Sequence, residues 1–373
     1  MIKSIVSRDD TLSQSMPDLA LAANGTLVCV FRESALYPQQ GEFETPEGGL
    51  KARISVRISR DQGGTWGPLI PVGGVRMAEG FLNCPRLCRL QDGTLLMAVD
   101  WIPPSDLGER NSSCGIWFWR SRDHGKTWEG PERSSVPGIV PSLRPLRDGA
   151  LLCGASGWNE AGEEVMWVHR SVDGGGRWEG PITVAEQADH SFCEGDFVEL
   201  EDGKIVCYLR EERHPPVSLK AISGDGGRTW EGPFRAGLLS CLGRPSAGLL
   251  RSGEVVVTHR CDFSGMFCMY VESQPQAADR TPPSVRVFGR SLMIDVDRAP
   301  VSHWGYSGWV QLSGGDLYVV QHIIDDAAPG ARHIRGYRVA RSDWALYPEP
   351  VRKDGVHLEE IEPYTKRMPA PEA

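Results

Sequence analysis

No apolar run in this chain approaches the length of a membrane-crossing helix, so a helical membrane protein is excluded. It also has no run of Lys or Arg, and its 40 basic residues are outnumbered by 49 acidic ones, for a net charge of −9. That balance argues against a nucleic-acid partner or an anionic membrane surface. The first residues, MIKSIVSRDD, contain no apolar core of a secretory signal, so a cytoplasmic location with reduced thiols is expected. Helical periodicity beyond about two turns is missing too. The ten cysteines lack metal spacing: Cys84 and Cys88 lie four apart, with no second His/Cys pair at zinc distance. Most, such as Cys29, Cys88, Cys153 and Cys207, fall in strand-like segments where Cys acts as a small hydrophobe. No metal or cofactor is expected. No composition break divides the chain, which reads as one domain over residues 1–373 with a C-terminal tail at 345–373.

What the chain does have is a phrase repeated four times, Ser59–Trp66, Ser121–Trp128, Ser171–Trp178 and Ser223–Trp230, at intervals of 50 to 62 residues. Each reads Ser-x-Asp-x-Gly-x-Thr-Trp, with Arg177 in place of Thr in the third copy, and each is followed by Gly-Pro at once or after one Glu. Repetition on this scale marks a repeat architecture. Asp and Ser side chains bond to nearby backbone N–H groups and hold a tight turn. Gly supplies positive φ, and the Trp ring is expected to pack on the neighbouring repeat.

A second repeat is subtler. Six times, two apolar stretches flank a turn glycine: Gly25, Gly93, Gly149, Gly203, Gly253 and Gly315. Asn-Gly and Asp-Gly between β-type runs signal hairpins. Flanks such as LVCVF, LLMAV and EVVVTH are too apolar to face water, so they are inner strands. The first four hairpins are each followed by the Ser-x-Asp phrase, which supplies the outer hairpin of the same unit. Two hairpins make a four-stranded blade, and six units make an all-β six-bladed propeller. The N-terminal KSIVS supplies an outer strand that closes the ring.

The turn glycines also act as a ruler. Nine residues before them stand Met16, Cys84, Val140, Glu194, Arg244 and Tyr306. Seven after them stand Arg32, Asp100, Ser156, Arg210, Arg260 and His322. In a propeller both sets ring one mouth of the channel, opposite the repeated turns. Blades four to six then gather Glu, Arg, Tyr, Arg, Arg and His at one end, which points to an anionic ligand.

The repeated phrase resembles the Asp-box of sialidases, and the resemblance covers nearly the whole chain. Cys193-Glu194-Gly195-Asp196-Phe197 is similar to the family segment that carries the catalytic Glu, and Arg210 matches one member of its arginine triad. Gly305-Tyr306-Ser307-Gly308 is similar to the segment with the nucleophilic Tyr. The resemblance implies an exo-glycosidase releasing a terminal acidic keto-sugar, such as a sialic acid or related nonulosonate, by a Tyr/Glu retaining mechanism. A neutral phenol suits an anomeric carbon that bears a carboxylate, because a carboxylate nucleophile would be repelled there; sialidases are one exception to the two-carboxylate rule. Guanidinium forks bind a carboxylate bidentately.

Departures from the family are equally visible. Ser15-Met16-Pro17 stands where an Arg-Ile-Pro is expected, and Ser264-Gly265-Met266 where a third Arg is. A rebuilt clamp can draw three of Arg32, Arg210, Arg260 and Arg244, with His322 beside them. The family's acid Asp is missing from the loop 33–51, which offers Glu42, Glu44 and Glu47; Asp18 and Asp100 are other mouth candidates. Trp101 and Trp158 either stack on a sugar or pack within blades, and His322 and His190 are further proton-transfer candidates. Two other readings stay open: a non-catalytic propeller that binds acidic glycans, and a lyase acting on uronate polysaccharide. Oligomeric state is not legible.

Overall fold

A computed structural model describes residues 1–36, 42–46, 48–104, 114–214, 218–238, 243–261, 265–281, 289–299 and 305–344. The first strand, β1 (Ile2–Ser7), belongs to the last blade. Blade one is β2 (Ser13–Leu21), β3 (Leu27–Ser34), β4 (Ala52–Ser59) and β5 (Ile70–Val75); blade two is β6 (Phe81–Arg89), β7 (Leu95–Ile102), β8 (Gly115–Ser121) and β9 (Glu129–Pro137). Blade three is β10 (Leu143–Pro145), β11 (Leu151–Trp158), β12 (Glu164–Ser171) and β13 (Glu179–Ala185). Blade four is β14 (Phe192–Glu199), β15 (Ile205–Glu211), β16 (Leu219–Ser223) and β17 (Glu231–Arg235). Blade five is β18 (Ser246–Leu249), β19 (Val255–Arg260), β20 (Met266–Glu272) and β21 (Arg290–Val296). Blade six is β22 (Ser307–Gln311), β23 (Leu317–Ile323) and β24 (His333–Val339), with β1 antiparallel to β24 as its fourth strand. Six four-stranded antiparallel sheets result, a six-bladed β-propeller. No described helix is long and apolar enough to cross a membrane.

The repeated turns lock the blades together. In the first, Ser59 Oγ accepts from Gly63 N at 2.8 Å, while the Asp61 carboxylate accepts from Thr65 N and Thr65 Oγ1 at 2.9 and 2.7 Å. Gly63 has φ +89°, and its bare Cα faces the Tyr318 ring of blade six so closely that a Cβ would stand 2.0 Å from Cε2. The equivalent glycines Gly125, Gly175 and Gly227 abut Val28, Leu96 and Leu152, each on the second strand of the preceding blade. The Trp rings follow: Trp66 lies 5.9 Å from Tyr318, and Trp178 stacks on Phe118 at 5.4 Å. The turn is therefore an inter-blade fastener, and it lies at the end away from the mouth.

Two residues deeper than the mouth on β2, β6 and β14, at the same distance from their turn glycines, stand Asp18, Arg86 and Asp196. Arg86 is almost fully buried, 3.5 Å from Asp18 and 3.6 Å from Asp196. Arg144 donates to Asp196 through Nε at 2.8 Å. Asp18 accepts from Leu87 N of blade two, and Asp196 from Ala247 N of blade five, at 2.9 and 2.8 Å. The carboxylates thus bridge blades and neutralise the arginines, as buried charges must be. Burial, reinforced by the charge of Arg244, brings the Arg86 guanidinium down to about 10.

Candidate active site

The inner strands do not run straight into the mouth. β2 bulges between Ser15 and Asp18, β6 between Leu82 and Pro85, and β14 between Phe192 and Glu194. A bulge inserts extra residues opposite the partner strand and re-aims side chains. In these three blades it displaces Met16, Cys84 and Cys193, beside or at the register positions that ring the mouth. Met16 takes φ +57°, an unusual conformation for a side-chain-bearing residue, and its N–H donates to His322 Nδ1 at 3.2 Å.

The structure brings Glu194, Arg210 and Tyr306 together from blades four and six. Arg210 Nη1 donates to Glu194 Oε2 at 2.6 Å and to Tyr306 Oη at 3.3 Å. No direct hydrogen bond joins Glu194 to Tyr306 among the described residues. Arg244 Cζ stands 4.7 Å from the Tyr306 ring centroid, and the His322 ring meets Tyr306 edge-on at 6.2 Å. Burial first, and then the charge of Glu194, push the Tyr306 phenol well above its ordinary value.

Arg32 is held differently. Its Nη1 donates to Asn83 Oδ1 at 2.5 Å and its Nη2 to Ser15 Oγ at 3.0 Å. Glu33, the adjacent carboxylate, is taken instead by Arg53 and Ser55. Arg260 stands at the same strand end on β19, where a Cβ on Gly243 would lie 2.9 Å from Arg260 Cβ. Exposure separates the four arginines: Arg32 and Arg210 keep 6% of their surface, Arg260 5%, and Arg244 none. The first three have surface that a ligand can touch.

Several expected mouth residues stand elsewhere. Asp18 lies in the ion network below the mouth, with both oxygens accepting backbone N–H groups, so it offers no acid. Asp100 has no exposed surface. Its oxygens accept from Cys84 N at 2.9 Å and Asn83 Nδ2 at 2.8 Å, which makes it a support for the Asn83–Arg32 pair. Burial raises its carboxyl to about 6. Trp101 stacks on Trp117 at 5.4 Å and donates to Glu79 O, so it packs a blade. His190 stacks on Phe192. His322 is 1% exposed and serves Met16 and Tyr306. Glu42 accepts from Met77 N, whereas Glu44 is exposed and makes no bond to the cluster among the described residues. Trp158 ends β11 half-buried. Glu47, Ser264, residues 105–113 and the tail 345–373 lie outside the described residues.

One feature escaped the sequence. Glu164, Cys193 and Glu212 bring ligand atoms within 4.8 Å of one another, and Glu212 pairs with Arg210 Nη2. Burial pushes the Glu164 carboxyl up to about 6. Glu212 was visible two residues after Arg210, but Glu164 comes from the third strand of blade three, where the turn-glycine ruler does not reach. The nine described cysteines are all buried, and none forms a disulfide.

This is the ring-end site of a six-bladed propeller assembled from BNR-type repeats. Residues 25–261 match the BNR repeat-like domain, and the chain belongs to that family. No curated protein sequence matches it. Among solved structures, a Dyadobacter fermentans protein of unknown function is 19% identical, with TM-score 0.70 over 90% of this chain and 96% of that one. A Hadza microbial sialidase is 17% identical, with TM-score 0.68 over 89% of this chain and 66% of that one. The intramolecular trans-sialidase of Ruminococcus gnavus, in complex with oseltamivir carboxylate, is 12% identical, with TM-score 0.66 over 91% and 97%. The fold is thus that of the sialidases.

Proposed function

We propose that the chain is a sialidase-like exo-glycosidase that hydrolyses a terminal acidic keto-sugar, with Tyr306 as nucleophile and Glu194 as its base. The observation that carries this reading is the Glu194–Arg210–Tyr306 array, in which one guanidinium nitrogen touches both groups across the mouth. Arg32, Arg210 and Arg260 form the carboxylate clamp. A substrate carboxylate competes with Glu194 for Arg210 Nη1, which leaves Glu194 free to take the phenol proton. Catalytic bonds that are long or indirect without ligand often tighten on binding.

In the first step Tyr306 Oη bonds to the anomeric carbon while its proton passes to Glu194. The bond from that carbon to the aglycone oxygen breaks, and the aglycone departs with the electron pair and takes a proton from solvent. Water then attacks the same carbon and releases a proton. The carbon–Oη bond breaks, and the proton on Glu194 returns to the phenolate. Support also comes from the solved sialidases that share the fold.

A second reading, a non-catalytic propeller that binds acidic glycans, is favoured by one observation. None of the acid candidates among the described residues joins the Tyr306 cluster: Asp18 and Asp100 are sealed by backbone and Asn83 donors, and Glu44 is exposed. One experiment separates the readings: release of a reporter aglycone from a panel of acidic-sugar glycosides, by wild type and Tyr306→Phe. The panel spans sialic acid, its deaminated analogue and other nonulosonates, with an unsaturated-product assay on uronates for the lyase alternative. Turnover that falls by about 10² or more in Tyr306→Phe supports nucleophilic catalysis. Sugar binding without turnover in both proteins leaves the binding reading.

A further inference from the structure

We infer that Arg244 is a positioning residue for Tyr306, with its guanidinium held against the phenol ring to stabilise the phenolate, and is not part of the ligand clamp. Only the catalytic consequence rests on the glycosidase reading; the pairing stands on geometry. Arg244 Cζ lies 4.7 Å from the ring centroid, and the residue has no exposed surface. Its Nη2 donates to Pro17 O at 3.4 Å, while Nε and Nη1 have no hydrogen-bond partner among the described residues. Buried donors without acceptors are costly. A ring face accounts for them, because its negative quadrupole attracts a cation most strongly when water is excluded.

The charges around Tyr306 give Arg244 a share of this task beside Arg210. Glu194 on β14 opposes ionisation of the phenol, whereas burial keeps the Cys84 thiol on β6 protonated and uncharged. Arg210 on β15 favours the phenolate more strongly than Arg244 does, but it is itself paired with Glu194 and Glu212. His322 on β23 presents its ring and accepts from Met16 N, and Arg32 on β3 is engaged by Asn83 and Ser15. Arg244 alone of these cations lies over the ring, and it has no carboxylate within ion-pair distance among the described residues. As the proton leaves Oη, negative charge spreads into the ring and the attraction grows. Tyr306 thereby gains a phenolate-stabilising cation that ligand binding does not have to displace.

The test replaces Tyr306 with a fluorotyrosine, whose phenol ionises at lower pH, and follows its ionisation by fluorine NMR in the ligand-free protein. Arg244→Met is expected to raise the ionisation pH by about one unit or more, and Arg244→Lys by less. With Tyr306 intact, Arg244→Met is expected to lower kcat about tenfold on the best panel substrate, with KM within about twofold. Circular dichroism checks folding, and Arg244→Gln is read in the same way should Arg244→Met not fold. An unchanged ionisation pH overturns the inference, as does a rise in KM with kcat preserved, which is the behaviour of a clamp residue. Failure of the glycosidase reading shows separately, as no turnover with the ionisation shift intact.

Discussion

Replacing Asp100 with Asn tests how the mouth is supported. The Asp100 carboxylate is fully buried and accepts from Cys84 N and Asn83 Nδ2. Burial lifts its carboxyl from 3.8 to about 6. A carboxyl raised in the folded state binds a proton there that the unfolded chain has already lost. Its contribution to stability is therefore complete below about pH 4 and is lost as pH rises through about 6. Two units correspond to about 3 kcal/mol. Asn cannot titrate, so the stability of wild type relative to Asp100→Asn should fall by about that amount between pH 4 and pH 6.5. Denaturant unfolding at several pH values measures it. A difference flat across that range would refute the assignment. Asp100→Asn has a second effect at neutral pH. Its amide presents N–H to one of the two donors, so Asn83 must turn, and a turned Asn83 loses Oδ1 as the acceptor for Arg32. Affinity for an acidic ligand should drop about tenfold, the scale of one charged hydrogen bond.

Two further outcomes follow from the scaffold. Asp196→Ala leaves the buried Arg86 and the half-buried Arg144 with Asp18 as the remaining carboxylate, and should cost about 3–5 kcal/mol by calorimetry or denaturant; a loss under about 1 kcal/mol would show the network is not charge-balanced as described. Gly25 and Gly63 both have positive φ, but only Gly63 faces a neighbouring side chain. Gly25→Ala should therefore cost about 1 kcal/mol and Gly63→Ala about 2–4 kcal/mol, with equal losses counting against the inter-blade fastener.

The blades were legible because each inner hairpin carries a turn whose chemistry is local. Asn24-Gly25 and Asp92-Gly93 dictate positive φ whatever surrounds them, and strand length then fixes which residues share a level. The same ruler, read two residues deeper, would have found Asp18, Arg86 and Asp196. What it could not read was side-chain direction at the mouth. Arg244 and Arg260 both come from blade five at mouth level, yet one lies beneath Tyr306 and the other keeps surface. The difference arises from packing between blades, which no local signal encodes. Asp100 misled for a related reason. Its register was correct, but Asn83, brought in by the β6 bulge, stands between it and Arg32.

The two best-defined arginines of the proposed clamp would meet a ligand in different ways. Arg210 is held by two carboxylates, so a ligand carboxylate must displace one of them and gains only the difference. Arg32 is held by neutral acceptors, and its nearest compensating charge, Asp100, stands one side chain back across Asn83. A guanidinium without a direct counter-ion has more to gain from an incoming anion than one already paired. Attraction should therefore rest mainly on Arg32, while exchange at Arg210 changes the state of Glu194. That division would let one anion both anchor at the mouth and release Glu194, the proposed base, beside Tyr306.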